Sequence, residues 1–357
     1  METGTTGFDV ALSLFGKASL KLVTLTVTEK GYGAESKELV NFLVEGLRRR
    51  RAVDRPLVIA SCDNLQSNGD RIAALLETHL VDDPALLGWI KRRVQFPNSM
   101  VDSITPASTA RQKNTLHADL GLRDEAPIFR EPFSQWIMEQ CDCDIDLEAA
   151  GIKLVEEVAP FELLKLRILN ASHSLLAYLG IALGYETVHS AMQDDEVRLL
   201  MERFMAGVRP LLDVPSSVDT LSYYDQVLER FSNPGIAHLL TQIAEDGSVK
   251  LKERVLPLLL IAPDVARKNN LLCFPLVLWM NHVSQIAHEG GQLKDPFGDR
   301  LICAVKDVST QKIVFACLDS LDAALQLPDT TTDLLGKMLV QIQTEGIRLM
   351  MSKMANE

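Results

Sequence analysis

From Phe161 to Gly180 the chain reads FELLKLRILNASHSLLAYLG, a long apolar run that predicts a helix reaching Leu183 and stopping at Gly184. Few of its residues can do chemistry, and their spacing is uneven. At about 100° per residue, with Lys165 at 0°, Glu162 falls at about 60°, His173 at about 80° and Asn170 at about 140°, a little off the main line. The four share one side of the helix over roughly 16 Å of rise at 1.5 Å per residue. Leucines and isoleucines take most other directions, so the helix is buried and its polar groups face partners or a cavity. A lysine in a partly dry cleft loses basicity, because desolvation disfavours its charged form, and can then take and return protons near neutral pH. The Asn170 amide can donate to an oxygen gaining negative charge. His173 can hold a neighbouring hydroxyl. Together they suit proton removal from an alcohol and stabilisation of the alkoxide. A structural reading stands beside this one: Lys165 snorkels or pairs with Glu162 at i, i+3, and His173 is an ordinary core histidine.

Three further clusters carry polar groups. Ser61-Cys62-Asp63-Asn64-Leu65 follows an expected parallel strand, the end at which ligands bind in open α/β sheets. Asn64 would be well placed there as a second amide donor, or Asp63, Asn64 and Asn68 simply cap a turn and a helix. Asn98 to Asp102 (NSMVD) follows Pro97. In Gln242–Lys250 (QIAEDGSVK), Asp246-Gly247 makes a turn and Lys250 starts a helix; taken alone, Lys250 reads as an exposed helical lysine.

The elements that must position these groups change character near residue 155. Leu20–Thr28 and Pro56–Cys62 read as buried strands, and Ser36–Arg51 between them has helical spacing at Leu39, Phe42, Leu43 and Leu47. That is a βαβ unit, which implies a parallel sheet and a right-handed crossover. Asn68–Leu80 and Pro84–Arg93 read as helices, Val94–Thr105 as a strand end running into a loop, and Ala107–Asp124 as polar and irregular. Pro127–Val158 adds short edge strands. Beyond Ala159 the chain reads as helices: Asp194–Leu212, Asp219–Phe231, Pro234–Ala244, Lys250–Ile261, Asn269–His288, Gln311–Leu327 and Thr331–Lys353. The expectation is an α/β domain over residues 1–155 followed by a mostly helical one over 156–357.

Lys and Arg number 36 against 48 Asp and Glu, a net charge of −12, which argues against a nucleic-acid partner. Arg48 to Arg51 form the only dense basic run, which suits the last turn of a helix. The six cysteines make no disulfide framework, and Cys141-x-Cys143 matches neither a zinc nor a redox spacing. No apolar run reaches the ~18 residues of a membrane span. A cytoplasmic location, with no membrane partner, is the expectation.

Six strings occur in one order: TLTVTEKGY (Thr24–Tyr32), SCDNLQSNGD (Ser61–Asp70), FPNSMVDSITP (Phe96–Pro106), KLRILNASHSLLAYLG (Lys165–Gly180), RFSNPGIAH (Arg230–His238) and QIAEDGSVKL (Gln242–Leu251). From about Ala11 onward the chain resembles the long-chain polyol-specific dehydrogenases, the mannitol dehydrogenase and fructuronate reductase (mannonate oxidoreductase) family. The resemblance implies a partial Rossmann-like parallel sheet and a helical catalytic domain. It also implies an oxidoreductase that uses NAD or NADP, needs no metal, and interconverts a secondary alcohol and a ketone of a polyol or sugar acid. By resemblance Lys165 is the acid/base in a Lys-x4-Asn-x2-His pattern. Asn170 and Asn64 are the oxyanion amides, His173 positions substrate, and Glu162 lies on the proton path. Asp102 is a contact near the nicotinamide, and Lys250 touches substrate hydroxyls. Gln242 stands where some mannitol oxidisers have arginine and is closer to the fructuronate-reductase pattern.

The sequence departs from the family in one large respect. It has no GxGxxG-like string, as though roughly the first three βα units of a Rossmann half were missing. Weak cofactor affinity is expected in consequence, and the alternative reading is a truncated, catalytically silent relative acting as an interaction module.

Overall fold

The computed structural model describes residues 5–27, 29–32, 37–216, 218–261, 270–322 and 327–356. Thr28, Ser36, Ala262, Asn269 and residues 323–326, at or near the ends of expected elements, lie outside the described residues. The chain divides into two compact units, residues 1–103 with 133–162, and residues 104–132 with 163–357.

In the first unit α1 (Thr5–Phe15) leads into β1 (Leu22–Leu25), α2 (Lys37–Val53) and β2 (Leu57–Ser61). Helices α3 (Asn68–His79) and α4 (Pro84–Arg93) follow, then β3 (Val94–Gln95) and β4 (Ser99–Asp102). Strands β1, β2 and β3 form a parallel sheet in that order, with Val58 opposite Leu22 and Val94 opposite Leu57. All five residues of β2 are buried, as a central parallel strand requires. Leu43, Leu47, Ile59, Ile72 and Leu86 pack together beside it, and fully burying each such side chain is worth about 1.5–3 kcal/mol. A second sheet pairs β4 antiparallel with β5 (Gln135–Glu139), and β5 parallel with β6 (Ile152–Val155).

Asn68 joins the two sheets. Its amide nitrogen donates to the carbonyls of Ser61, Asp63 and Ser99 at 3.3, 3.1 and 2.8 Å, and its oxygen accepts the Ser99 N–H at 3.0 Å. It is therefore a strut, not the helix cap the sequence allowed. Behind it Gly69 lies so close to the Phe96-Pro97 backbone that an added Cβ would come within 2.6 Å of the Pro97 oxygen.

The arginine run is dismantled by its own helix. Arg50 is fully buried and donates to four carbonyls, of Lys17 (2.6 Å), Leu20 (2.7 Å), Arg55 (3.0 Å) and Pro56 (2.7 Å). Arg49 pairs with Glu45 one turn earlier at 3.1 Å, and Arg48 with Asp83 at 3.6 Å.

The second unit is helical. Its excursion over residues 104–132 contains α5 (Ala110–Leu120), where the sequence suggested irregular chain. Thr109 and Gln112 form a capping box and Gly121 closes the helix at φ 63°. No residue of α5 is buried, so the apolar periodicity that betrays most helices is missing. Elsewhere the expected boundaries shift. Residues 234–239 are not helical, because Thr187 bridges to Leu239 and the Val188 N–H donates to the His238 carbonyl at 3.0 Å; only Leu240–Ala244 coils. Short helices at Val188–Met192 and Gly298–Val305 were not expected. The last helical stretch breaks at Gly346, which has φ 88°. The core is built on Ala171–Ala182 and Phe274–Glu289, each buried on nearly every side.

Candidate functional site

The helical stretch from Ala159 to Ala182 is not uniform. After α6 (Ala159–Leu164), residues Lys165–Asn170 form a π-helix, and α7 (Ala171–Ala182) resumes the α geometry. A π turn bonds i to i+5 and winds less per residue than an α turn, so residues five apart lie at a smaller angle than on an α-helix. The Lys165-x4-Asn170 spacing, about 140° apart on an α-helical wheel, is thereby narrowed. Lys165 is buried at 8% exposure, which keeps it out of bulk water, and Asn170 is half-buried. The Asn170 carbonyl accepts from the Ser174 hydroxyl and from the Arg254 guanidinium, each at 3.2 Å. Arg254 also donates to the Ser174 hydroxyl at 3.1 Å. It ties the helix Gly247–Arg254 to the π turn and so fixes the element that carries Lys250.

His173 is buried and stacks on Phe231, with ring centroids 4.3 Å apart. Burial holds its pKa well below the usual histidine range, and His238, Arg254, Arg230 and Lys250 add to the shift. Arg230, next to Phe231, makes a buried fork with Glu131 at 2.7–3.1 Å, and Glu131 also accepts the Ile104 N–H at 2.6 Å. Lys250 is half-buried and donates to the Ile243 carbonyl at 3.1 Å. Its helix starts with Ser248 bonded to Asp295 through both N–H (2.7 Å) and hydroxyl (2.5 Å). Gly247 packs so tightly on Tyr178 and Trp279 that an added Cβ would lie 2.8 Å from the indole nitrogen. Gln242 is half-buried on Leu240–Ala244.

The remaining candidates belong to the first unit. Asn64 is exposed just after β2, and Asp102 is buried at the end of β4 opposite Gln135. Glu162 is buried and accepts the backbone N–H of Ser67 at 3.2 Å, holding a non-glycine residue at φ 51°. Asp63 is buried and accepts the Val27 N–H at 2.9 Å and the Tyr32 hydroxyl at 2.7 Å. A dinucleotide pyrophosphate would need free amides at such a strand end. Here the Val27 amide is already given to a carboxylate, which would itself repel phosphate. Among the described residues the phosphate cradle is therefore not supplied at this turn, whereas the lysine, amide and imidazole set fits the proton side of carbinol chemistry. Among the described residues no cluster of three or more His, Cys, Asp or Glu could hold a metal, and no helix is long and apolar enough to cross a membrane.

Sequence reasoning missed the π turn, Arg254, the Glu131–Arg230 fork and His238. Arg230 and His238 had a signal, as the two ends of the RFSNPGIAH string, and the π turn left a trace in the Lys-x4-Asn spacing.

Both parts of the chain have counterparts among known proteins. Residues 11–149 match the mannitol dehydrogenase Rossmann domain, and residues 157–339 match the mannitol dehydrogenase C-terminal domain. The chain is 35% identical to the uncharacterized oxidoreductase YeiQ of Escherichia coli K12, over 85% of this chain and 68% of that protein. It is 33% identical to D-mannonate oxidoreductase of the same organism, over 80% of this chain and 65% of the relative. Mannitol 2-dehydrogenase of Emericella nidulans is 32% identical, with 80% of this chain and 64% of the relative covered. The chain thus spans about two thirds of the length of these relatives. Its fold superposes on Pseudomonas fluorescens mannitol 2-dehydrogenase, solved with NAD and D-mannitol, with a TM-score of 0.80 at 26% identity, covering 98% of this chain and 77% of that one. With both domains matched in order across most of its residues, the chain belongs to the mannitol dehydrogenase family.

Proposed function

We propose that this chain performs the substrate-side chemistry of an oxidoreductase that interconverts a secondary alcohol and a ketone on a polyol or sugar acid. A nicotinamide dinucleotide, NAD or NADP, would exchange the hydride. The observation that carries this reading is the π turn that spans a buried lysine and the asparagine five residues on, with His173 on the next turn. Lys165 takes the carbinol proton and returns it in the reverse direction. The Asn170 amide donates to the oxygen as its charge grows, with Asn64 as the second amide donor. His173 fixes a neighbouring hydroxyl, and Glu162 passes protons between Lys165 and solvent. Lys250, Gln242 and Asp102 contact the substrate or the nicotinamide end. Support for these roles comes from family membership together with the burial and spacing above.

A second reading, a catalytically silent relative acting as an interaction module, is favoured by the lack of a GxGxxG-like string in the sequence. Titration with NADH and NADPH, followed by nicotinamide fluorescence, separates the two. Binding below millimolar, with turnover of D-mannitol or D-mannonate, supports the enzyme. Absence of binding at millimolar cofactor supports the silent relative.

A further inference from the structure

Two buried ring nitrogens in the second unit have no hydrogen-bond partner, Nε2 of His173 and Nδ1 of His238. The rings meet edge to face at 83°, with centroids 5.4 Å apart. A buried polar atom left unpaired costs about 1–3 kcal/mol. Two such atoms on touching rings point to a ligand that satisfies both.

We propose that His238 is a second substrate-binding imidazole, and that with His173 it takes two neighbouring hydroxyls of an open-chain polyol or sugar acid. The inference rests on the function proposed above and extends that site by one residue.

The chemistry of the pair selects hydroxyls. Burial, together with the charge of Lys250, keeps His238 uncharged near neutral pH, and burial does the same for His173. A neutral imidazole offers one donor and one acceptor, and a hydroxyl can answer either. A carboxylate could answer only a donor. Lys250, Arg254 and Arg230 around the pair disfavour a metal ion. Both rings are held firmly. His173 lies on Phe231, and the His238 backbone is fixed on both sides, its N–H donating to Ile236 at 2.9 Å and its carbonyl accepting from Val188 at 3.0 Å.

The test uses the full chain with NADH or NADPH and a panel of D-mannitol, D-mannonate and monodeoxy hexitols. His238→Phe keeps a ring and removes the nitrogens; His238→Asn restores a donor and an acceptor. The expected result is a KM raised about tenfold or more in His238→Phe, with kcat changed less than about threefold, and partial recovery in His238→Asn. One deoxy analogue should lose as much on the wild type as His238→Phe loses on the parent sugar, and lose nothing more on that variant. Equal KM values for wild type and both variants, with equal losses to every analogue, would overturn the proposal and leave the nitrogens to bound water. If the wild type turns over nothing, imidazole NMR distinguishes the causes. Shifts of both His238 and His173 signals on adding D-mannitol keep the binding pair and remove the enzyme reading; silent signals remove both.

Discussion

In the function proposed above, Lys165 is the residue on which the chemistry depends. Lys165→Ala should reduce turnover by about a hundredfold or more, the scale of a lost acid/base group, with an unchanged circular dichroism spectrum. Near-normal rates across the pH range would exclude it. His238 gives a second, independent prediction. Its pKa is lowered from 6.5 to about 4 by burial and then by Lys250. The unfolded chain therefore binds a proton that the folded chain refuses between those values. The stabilisation is complete above about pH 6.5 and is lost as pH falls toward about 4, by on the order of 3 kcal/mol in all. Urea unfolding across pH 4–7 should show that slope, and His238→Phe should reduce it while leaving the part that His173 contributes.

At the scale of elements, α2 and the π turn show how far a sequence pattern can mislead. Four consecutive arginines suggest one basic patch, yet Arg50 points inward to four carbonyls while Arg49 pairs with Glu45 on its own helix and Arg48 with Asp83. Arg50→Met should destabilise the protein by about 3 kcal/mol or more, since buried acceptors lose charged donors. Arg51→Ala, at an exposed site, should stay within about 0.5 kcal/mol. Denaturant midpoints of the two variants test the contrast. The π turn had no signal in apolar periodicity, because the segment is apolar almost all round. The polar spacing Lys-x4-Asn, awkward on an α-helix, was the only trace of it.

For the molecule as a whole, the division into units does not follow chain order. Residues 104–132 leave the first unit and join the second, where the Glu131–Arg230 fork, 2% and 5% exposed at its side chains, holds them. Breaking one side of a buried ion pair typically costs about 3–5 kcal/mol. Glu131→Gln should lower thermal stability accordingly, and should release the segment to limited proteolysis around α5. A melting temperature and cleavage pattern like the wild type would show that the fork contributes little.

Local sequence determined the βαβ order, the change from mixed to helical chain, and the identity of Lys165, Asn170 and His173 as the groups worth attention. These follow from short-range terms: β-branched runs, helical spacing, caps and turn residues. The tertiary structure alone decided that a π turn carries Lys165 and Asn170, that Arg50 is a strut, that Asn68 joins two sheets, and that His238 meets His173. Each depends on partners distant in sequence or on a change of helical pitch. Residue types announce what a group can bond to; only the packed chain fixes which partner it finds.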